Sequence, residues 1–160
     1  MLIGILSDTH GDLDGTRQAV RVFQSLEVDM VLHCGDVGQP GVVSLLSAWP
    51  VHFVLGNVDR DGTLWEGLTE SGNVFHARFG RLTLEGRSIA LLHGDDTTRL
   101  RGAVSSGEWD LVCHGHTHCA SKHRVGKTLV INPGAISRTY QPSVAMVELP
   151  SINITHIPLA

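Results

Sequence analysis

The chain has 160 residues, of which 42% are hydrophobic and 18% charged, with a formal net charge of −4. Such a chain buries a full core without staples and reads most simply as one domain over residues 1–160. The acidic balance and the lack of any Lys/Arg run exclude a general nucleic-acid or membrane-surface binder, leaving a small nucleotide as the nearest such ligand; no apolar stretch reaches the length of a membrane span.

Leu2–Leu6 is a short apolar run without polar alternation, the pattern of a buried strand, and it ends at Ser7-Asp8-Thr9-His10. Residues 13–26 carry Ala19, Val20, Val22, Phe23 and Leu26 at helical spacing, with Asp12 or Asp14 as the cap. Residues 30–34 and 51–55 are further buried strands, ending at Gly35-Asp36 and Gly56-Asn57-Val58-Asp59, with a short helix expected over 41–49. Strands alternating with helices predict βαβ units and a parallel sheet. A short helix is a candidate at 63–68 and an edge strand at 74–79. Glu85-Gly86 between apolar runs predicts a hairpin over 80–92, which leads into His93-Gly94-Asp95-Asp96. A helix over 98–106 and a strand over 110–113 follow; then β segments dominate at 121–125, 128–131, 144–149 and 152–157, broken by the sharp loop Asn132-Pro133-Gly134.

The densest chemistry lies in Cys113-His114-Gly115-His116-Thr117-His118. One histidine on an apolar run usually packs or faces solvent. Three in five positions, beside a glycine that can bend the chain, point to a metal site. Asp8, His10, Asp36, Asn57, His93, His116 and His118 all follow apolar runs, and a parallel sheet brings such strand ends to one edge. Seven N/O donors are too many for one tetrahedral ion and suit two ions bridged by a carboxylate. With no thiolate in the set, Mn is the first choice and Fe, Zn, Ni or Co are alternatives. Two such ions lower the pKa of a bridging water, orient a phosphate ester for in-line attack and offset charge on its oxygens, with Asp36, Asn57 and His93 acting through that metal-bound water. Hydrolysis of a small phosphate ester is the expected activity. Asp12 and Asp59 are expected either to orient ligands through hydrogen bonds or to serve turn chemistry. Cys34, Cys113 and Cys119 lack paired spacing and Met1–Leu6 lacks a basic leader, so a reducing, cytoplasmic setting is expected.

The ordered set Asp8-x-His10, Gly35-Asp36, Gly56-Asn57-x-Asp59, His93-Gly94 and Gly115-His116-x-His118 resembles the calcineurin-like metallophosphoesterase family. It is especially similar to its small bacterial and archaeal phosphodiesterase branch, which shares the late Asn-Pro-Gly. The resemblance implies an α/β fold: a four-layer α/β/β/α sandwich of two mixed sheets flanked by helices. It implies one metal at Asp8, His10, Asp36 and His118 and a second at Asp36, Asn57, His93 and His116, with Asp36 bridging. Relatives suggest a homodimer by analogy.

Val58 departs from the pattern, because many family members carry there a histidine thought to protonate the leaving group. Without that acid, diesters and esters with good leaving groups should be preferred over alkyl monoesters. His33 and His114 are expected to pack beside the site. Asp95 and Asp96 would disfavour highly charged substrates if they faced its mouth, and would otherwise cap the next helix. The competing reading is a scaffold of the same fold with little catalysis; retention of all seven donor positions favours an enzyme.

Overall fold

The computed structural model describes residues 1–60 and 72–160. The helix candidate at 63–68 lies outside them. The first half runs β1 (Leu2–Leu6), α1 (Leu13–Ser25), β2 (Met30–His33), α2 (Pro40–Leu45), β3 (Val51–Phe53) and β4 (Val74–Phe75). The second half runs β5 (Phe79–Leu84), β6 (Arg87–Leu92), α3 (Thr97–Ser105), β7 (Leu111–Cys113), β8 (Ser121–Val125), β9 (Thr128–Asn132), β10 (Ser143–Glu148) and β11 (Asn153–Pro158).

Two mixed sheets form, ordered β11-β10-β1-β2-β3-β4 and β5-β6-β7-β9-β8. Within them β1 to β4 run parallel, as do β6, β7 and β9. β10 pairs antiparallel with both β1 and the edge strand β11, and antiparallel β5 and β8 form the edges of the second sheet. A purely parallel sheet, the simplest extrapolation from alternating strands and helices, gives way to mixed sheets because β10 returns beside β1 in the first and β5 and β8 pair antiparallel in the second.

Three apolar layers explain why the central strands read as unbroken hydrophobic runs. One lies between the first sheet and α1–α2, where Ala19, Phe23, Val42 and Leu46 meet Leu6, Val31 and Phe53. A second fills the space between the sheets, with Ile3, Ile5, Leu32 and Val54 facing Ile89, Leu91, Leu111 and Ile131. The third joins Ala90, Leu92, Val112 and Val130 to Ala103 on α3. Strands buried on both faces carry apolar side chains at successive positions. The result is the expected α/β/β/α sandwich.

Local signals account for the element ends. Asp12 caps α1 by accepting from the Gly15 N–H at 2.9 Å. Asp96 caps α3 through the Arg99 N–H at 3.0 Å. Glu85 and Gly86 both take positive φ, 48° and 74°, as a two-residue hairpin turn requires. The expected edge strand over 74–79 shortens to Val74–Phe75, and the expected helix over 41–49 to Pro40–Leu45.

Candidate metal centre

The carboxyl ends of β1, β2, β3, β6 and β7 meet along one edge of the sandwich, and each delivers donors just beyond its last residue. The loops are sewn together by backbone bonds. Asp8 N–H donates to Gly35 O at 3.0 Å, His10 N–H to Asp36 O at 2.9 Å, and Gly115 N–H to His93 O at 2.9 Å. Asp8, His10, Asp36, His116 and His118 all take positive φ, between 45° and 70°. That conformation costs a non-glycine residue about 1 kcal/mol or more and persists where the surroundings impose it. Five of the seven candidate donors thus share one strained backbone state; Asp8, His10, Asp36 and His118 turn into the cluster, while His116 stays exposed at its rim.

The donors converge. Asp8 Oδ1 lies 3.2 Å from His118 Nε2 and 3.9 Å from both His10 Nε2 and His93 Nε2. Asp36 Oδ2 lies 3.3 Å from His93 Nε2 and 3.6 Å from His10 Nε2. His10 Nε2 and His118 Nε2 are 3.3 Å apart. Asn57 Oδ1 sits 3.0 Å from His93 Nε2, and the His116 ring meets His93 edge-on with centroids 5.1 Å apart. Among the described residues two overlapping groups result, Asp8–His10–His118 and Asp8–Asp36–His93, with the donor atoms of each within 4.8 Å of one another; His116 belongs to neither. Asp8 belongs to both, while Asp36 Oδ2 faces a histidine of each.

The cluster is compatible with cations on its own evidence. Asp8 is fully buried, yet its Oδ1 accepts no hydrogen bond among the described residues, and neither does His10 Nδ1 make one. Buried polar atoms are normally paired, so an orphaned carboxylate oxygen facing three imidazole nitrogens fits an ion's first contact. Hard and borderline O/N donors, with no thiolate among them, suit divalent first-row metals. The electrostatics lean the same way. Burial pushes the Asp36 carboxyl up, but hydrogen bonds from His93 and the Val58 N–H outweigh it and hold it below its usual range. Burial likewise lowers His93, and the Asp36 partnership reverses it, leaving the imidazole raised. His10 is lowered, chiefly by burial.

The residues around the donors divide by contact. Asp59 is buried and braces two loops: its Oδ2 accepts from Val37 N–H at 3.0 Å and Gly56 N–H at 2.9 Å, its Oδ1 from Gly38 N–H at 2.9 Å. It therefore orients the loops carrying Asp36 and Asn57 through their backbone rather than through the ligands' side chains. Asp12 serves α1 as its cap, the turn-chemistry option. His33 packs beneath the centre, stacked on Phe53 with ring centroids 5.7 Å apart. Its Nδ1 accepts from Gly35 N–H at 3.2 Å, so its Nε2 donates to Thr9 Oγ1 at 3.0 Å, and that hydroxyl donates to Val37 O at 2.9 Å. Burial holds His33 down at about 3, hence neutral. His114 turns away from the donors, its Nδ1 beside Gly115 O, and lines a groove with Leu100 and Val104. Asp96 is a helix cap, while Asp95 stands at the mouth 4.0 Å from Arg78.

Two contributors escape a reading of motifs. Asn132 is buried and donates from Nδ2 to Gly115 O and Thr117 Oγ1, both at 3.0 Å, pinning the loop that carries His116 and His118. The late Asn-Pro-Gly is its visible signal, though as a turn. Arg78 donates to Gly56 O at 3.2 Å and lines the mouth beside Asn57 and His93. Nothing in its local sequence distinguishes it from any surface arginine.

Comparison with known proteins agrees with this geometry. Residues 1–151 match the calcineurin-like phosphoesterase superfamily domain. The chain is 31% identical over 139 residues to the phosphodiesterase MJ0936 of Methanocaldococcus jannaschii, covering 84% of this chain and 83% of that one. It is 32% identical over 142 residues to the probable metallophosphoesterase YsnB of Bacillus subtilis, covering 85% and 75%. The solved structure of an archaeal phosphodiesterase superposes with a TM-score of 0.91 at 30% identity, covering 99% of this chain and all of that one. The zinc complex of Vps29 from Entamoeba histolytica, covering 99% of each chain, shares the fold alone, with a TM-score of 0.67 at 16% identity. The matched length, the shared fold and the converging strand-end donors place this chain in the calcineurin-like phosphoesterase superfamily.

Proposed function

We propose that this phosphoesterase-family chain is a phosphodiesterase whose strand-end loops hold two divalent ions, Mn first among the candidates. The observation that carries the proposal is the buried, unpartnered Asp8 Oδ1 at the focus of His10, His93 and His118. Asp8, His10, Asp36 and His118 would hold one ion, and Asp36, Asn57, His93 and His116 the other. Bound there, the ions supply a nucleophile from water near neutral pH and neutralise charge building on phosphoryl oxygens.

The chain's own residues do the rest. Left-handed backbone at five donors and the Asp59 brace hold the side chains in place before substrate arrives, so little reorganisation is needed at the reaction. Asn57 contributes a neutral oxygen, which limits negative charge and leaves the centre attractive to an anionic ester. Val58, 40% exposed beside Asn57, carries no proton to give. The expelled oxygen must leave without a histidine acid at that position, which favours diesters with good leaving groups.

Free thiols at Cys34, Cys113 and Cys119 support a reducing, cytoplasmic setting; no helix of the described residues is long and apolar enough to cross a membrane. A homodimer and a single domain spanning 1–160 complete the proposal.

The test is a hydrolysis screen with each of Mn, Fe, Zn, Ni and Co against bis(p-nitrophenyl) phosphate and simple alkyl monoesters. Turnover of the diester with at least one metal, abolished by Asp36→Asn in a protein of unchanged circular dichroism, is the expected result. No turnover with any metal, together with a tight protein partner, would establish the scaffold reading instead.

A further inference from the structure

Beside the donor cluster, a cleft of about 310 Å³ is lined by Asn57, His93, Arg78 and Arg99 together with Asp95 and Asp96. A second, of about 630 Å³, also has Arg78 and Arg99 in its wall and continues to Arg81, Trp109 and Gly102. The two shared arginines make one channel leading away from the candidate metal centre. The larger volume lies within the ~300–1,000 Å³ range of small-ligand sites.

The charge of the larger cleft runs against that of the protein. Among the described residues, three arginines and one glutamate, Glu108, line the larger cleft in a chain of net charge −4. Arg78 and Arg99 have acidic neighbours, Asp95 at 4.0 Å and Asp96 at 3.7 Å, and Arg78 also donates to Gly56 O; these partly exposed groups keep further N–H donors for a ligand, and the two carboxylates line the smaller cleft, not the larger one. Arg81 has no acidic partner among the described residues. Its guanidinium lies over the rings of Phe79 and Trp109, 5.2 and 5.4 Å from their centroids, which holds it at the wall without neutralising it. Gly102 adds room: a Cβ there would meet no atom within 4 Å, so no neighbour requires glycine at this position of α3. A flat guanidinium backed by aromatic rings accepts both an anionic oxygen and a planar ring.

Resting on the phosphodiesterase reading, we infer that this channel selects diesters whose organic part carries a ring and a further anionic group, as a phosphorylated nucleoside does. The scissile phosphorus would lie at the donor cluster, the second anion at Arg78, Arg81 and Arg99, and the ring within the larger cleft. A simple aryl diester or a cyclic nucleotide offers no second anion.

Two diesters with the same nitrophenolate leaving group test this: bis(p-nitrophenyl) phosphate and thymidine 3′-phosphate 5′-(p-nitrophenyl phosphate). The expected result is a kcat/KM at least about tenfold higher for the second. Arg81→Gln and Gly102→Met should each bring that ratio toward parity; the second fills the cleft while replacing a helix glycine with a better helix former. Calorimetric binding of thymidine 3′,5′-bisphosphate to EDTA-treated protein should weaken about tenfold in both variants. A ratio and a Kd that neither variant moves would overturn the inference. No turnover of either diester with any metal would overturn the phosphodiesterase reading alone, if the bisphosphate still bound and Arg81→Gln still weakened it; loss of both overturns both.

Discussion

The Val58 N–H donates a 3.0 Å hydrogen bond to Asp36 Oδ1, while Val58, next to Asn57 in the chain, is 40% exposed. Backbone at this position orients a candidate ligand, whatever side chain it carries. The side chain is therefore free to vary without disturbing Asp36.

Val58→His tests this separation of roles. The imidazole has solvent to occupy, and the N–H bond to Asp36 is retained. General acid help is typically worth about 10²–10⁴-fold, so activity on alkyl monoesters should rise by at least about tenfold relative to aryl diesters. Steady-state rates on the two substrate classes check it. An unchanged ratio would show that leaving-group protonation is not what Val58 lacks.

Asp59→Ala removes the carboxylate that accepts three N–H groups from the loops of Asp36 and Asn57. Leaving buried donors unpaired should cost about 3 kcal/mol of stability. Metal affinity should fall about 10–100-fold, as for the loss of residues that orient ligands. Urea unfolding and a Mn²⁺ titration read these separately. Full metal affinity in the variant would reduce Asp59 to a turn former.

Gly56→Ala is aimed at Asp36 itself. A Cβ at Gly56 would collide with Asp36 Oδ1 and come 2.6 Å from its Cγ, so the carboxylate has to move. The expected outcome is loss of diester turnover, with overpacking costing about 1–3 kcal/mol. Gly115→Ala should behave alike, because its Cβ would meet Ser7 Oγ and lie 2.6 Å from Asp8 Oδ2. Wild-type turnover in either variant would contradict the placement of these carboxylates.

Acid should destabilise the fold through buried imidazoles. Burial, aided by the nearby His93 charge, holds His33 down at about 3; burial and then the His76 charge hold His52 at about 4. Both protonate near 6.5 once unfolded, so below that the unfolded chain binds more protons. Their contribution is intact above about pH 6.5 and shrinks as pH falls toward 3–4. For His33 the slope approaches ~1.4 kcal/mol per pH unit. Urea midpoints between pH 7 and 4 should show the fall, and His33→Gln should flatten it.

Chelation supplies the last test. Ions bound by the folded chain alone raise its stability with concentration. The Tm should climb with added Mn²⁺ and drop in EDTA, and His118→Ala should blunt the response. A Tm indifferent to both treatments would speak against ions in this cluster.

Much of the fold is written in local pattern. Leu2–Leu6 reads as a buried strand because an unbroken apolar run needs cover on both faces. Glu85-Gly86 dictates its turn, and the switch from apolar to polar at strand ends singles out Asp8, Asp36, Asn57 and His93 from their own neighbours in the chain. Other features depend on neighbours distant in the chain. The loop in which His116 and His118 take positive φ is held by Asn132, from another strand. The return of β10 beside β1, which makes the sheet mixed, is set by packing between layers. Arg78, Arg81 and Arg99 are unremarkable residues spread over two elements and a loop, and only the fold gathers their charges around one cavity. Periodicity and turn chemistry act over a few bonds, so the sequence alone reveals them; convergence of charge and strain acts through space, so it took the tertiary structure to decide them.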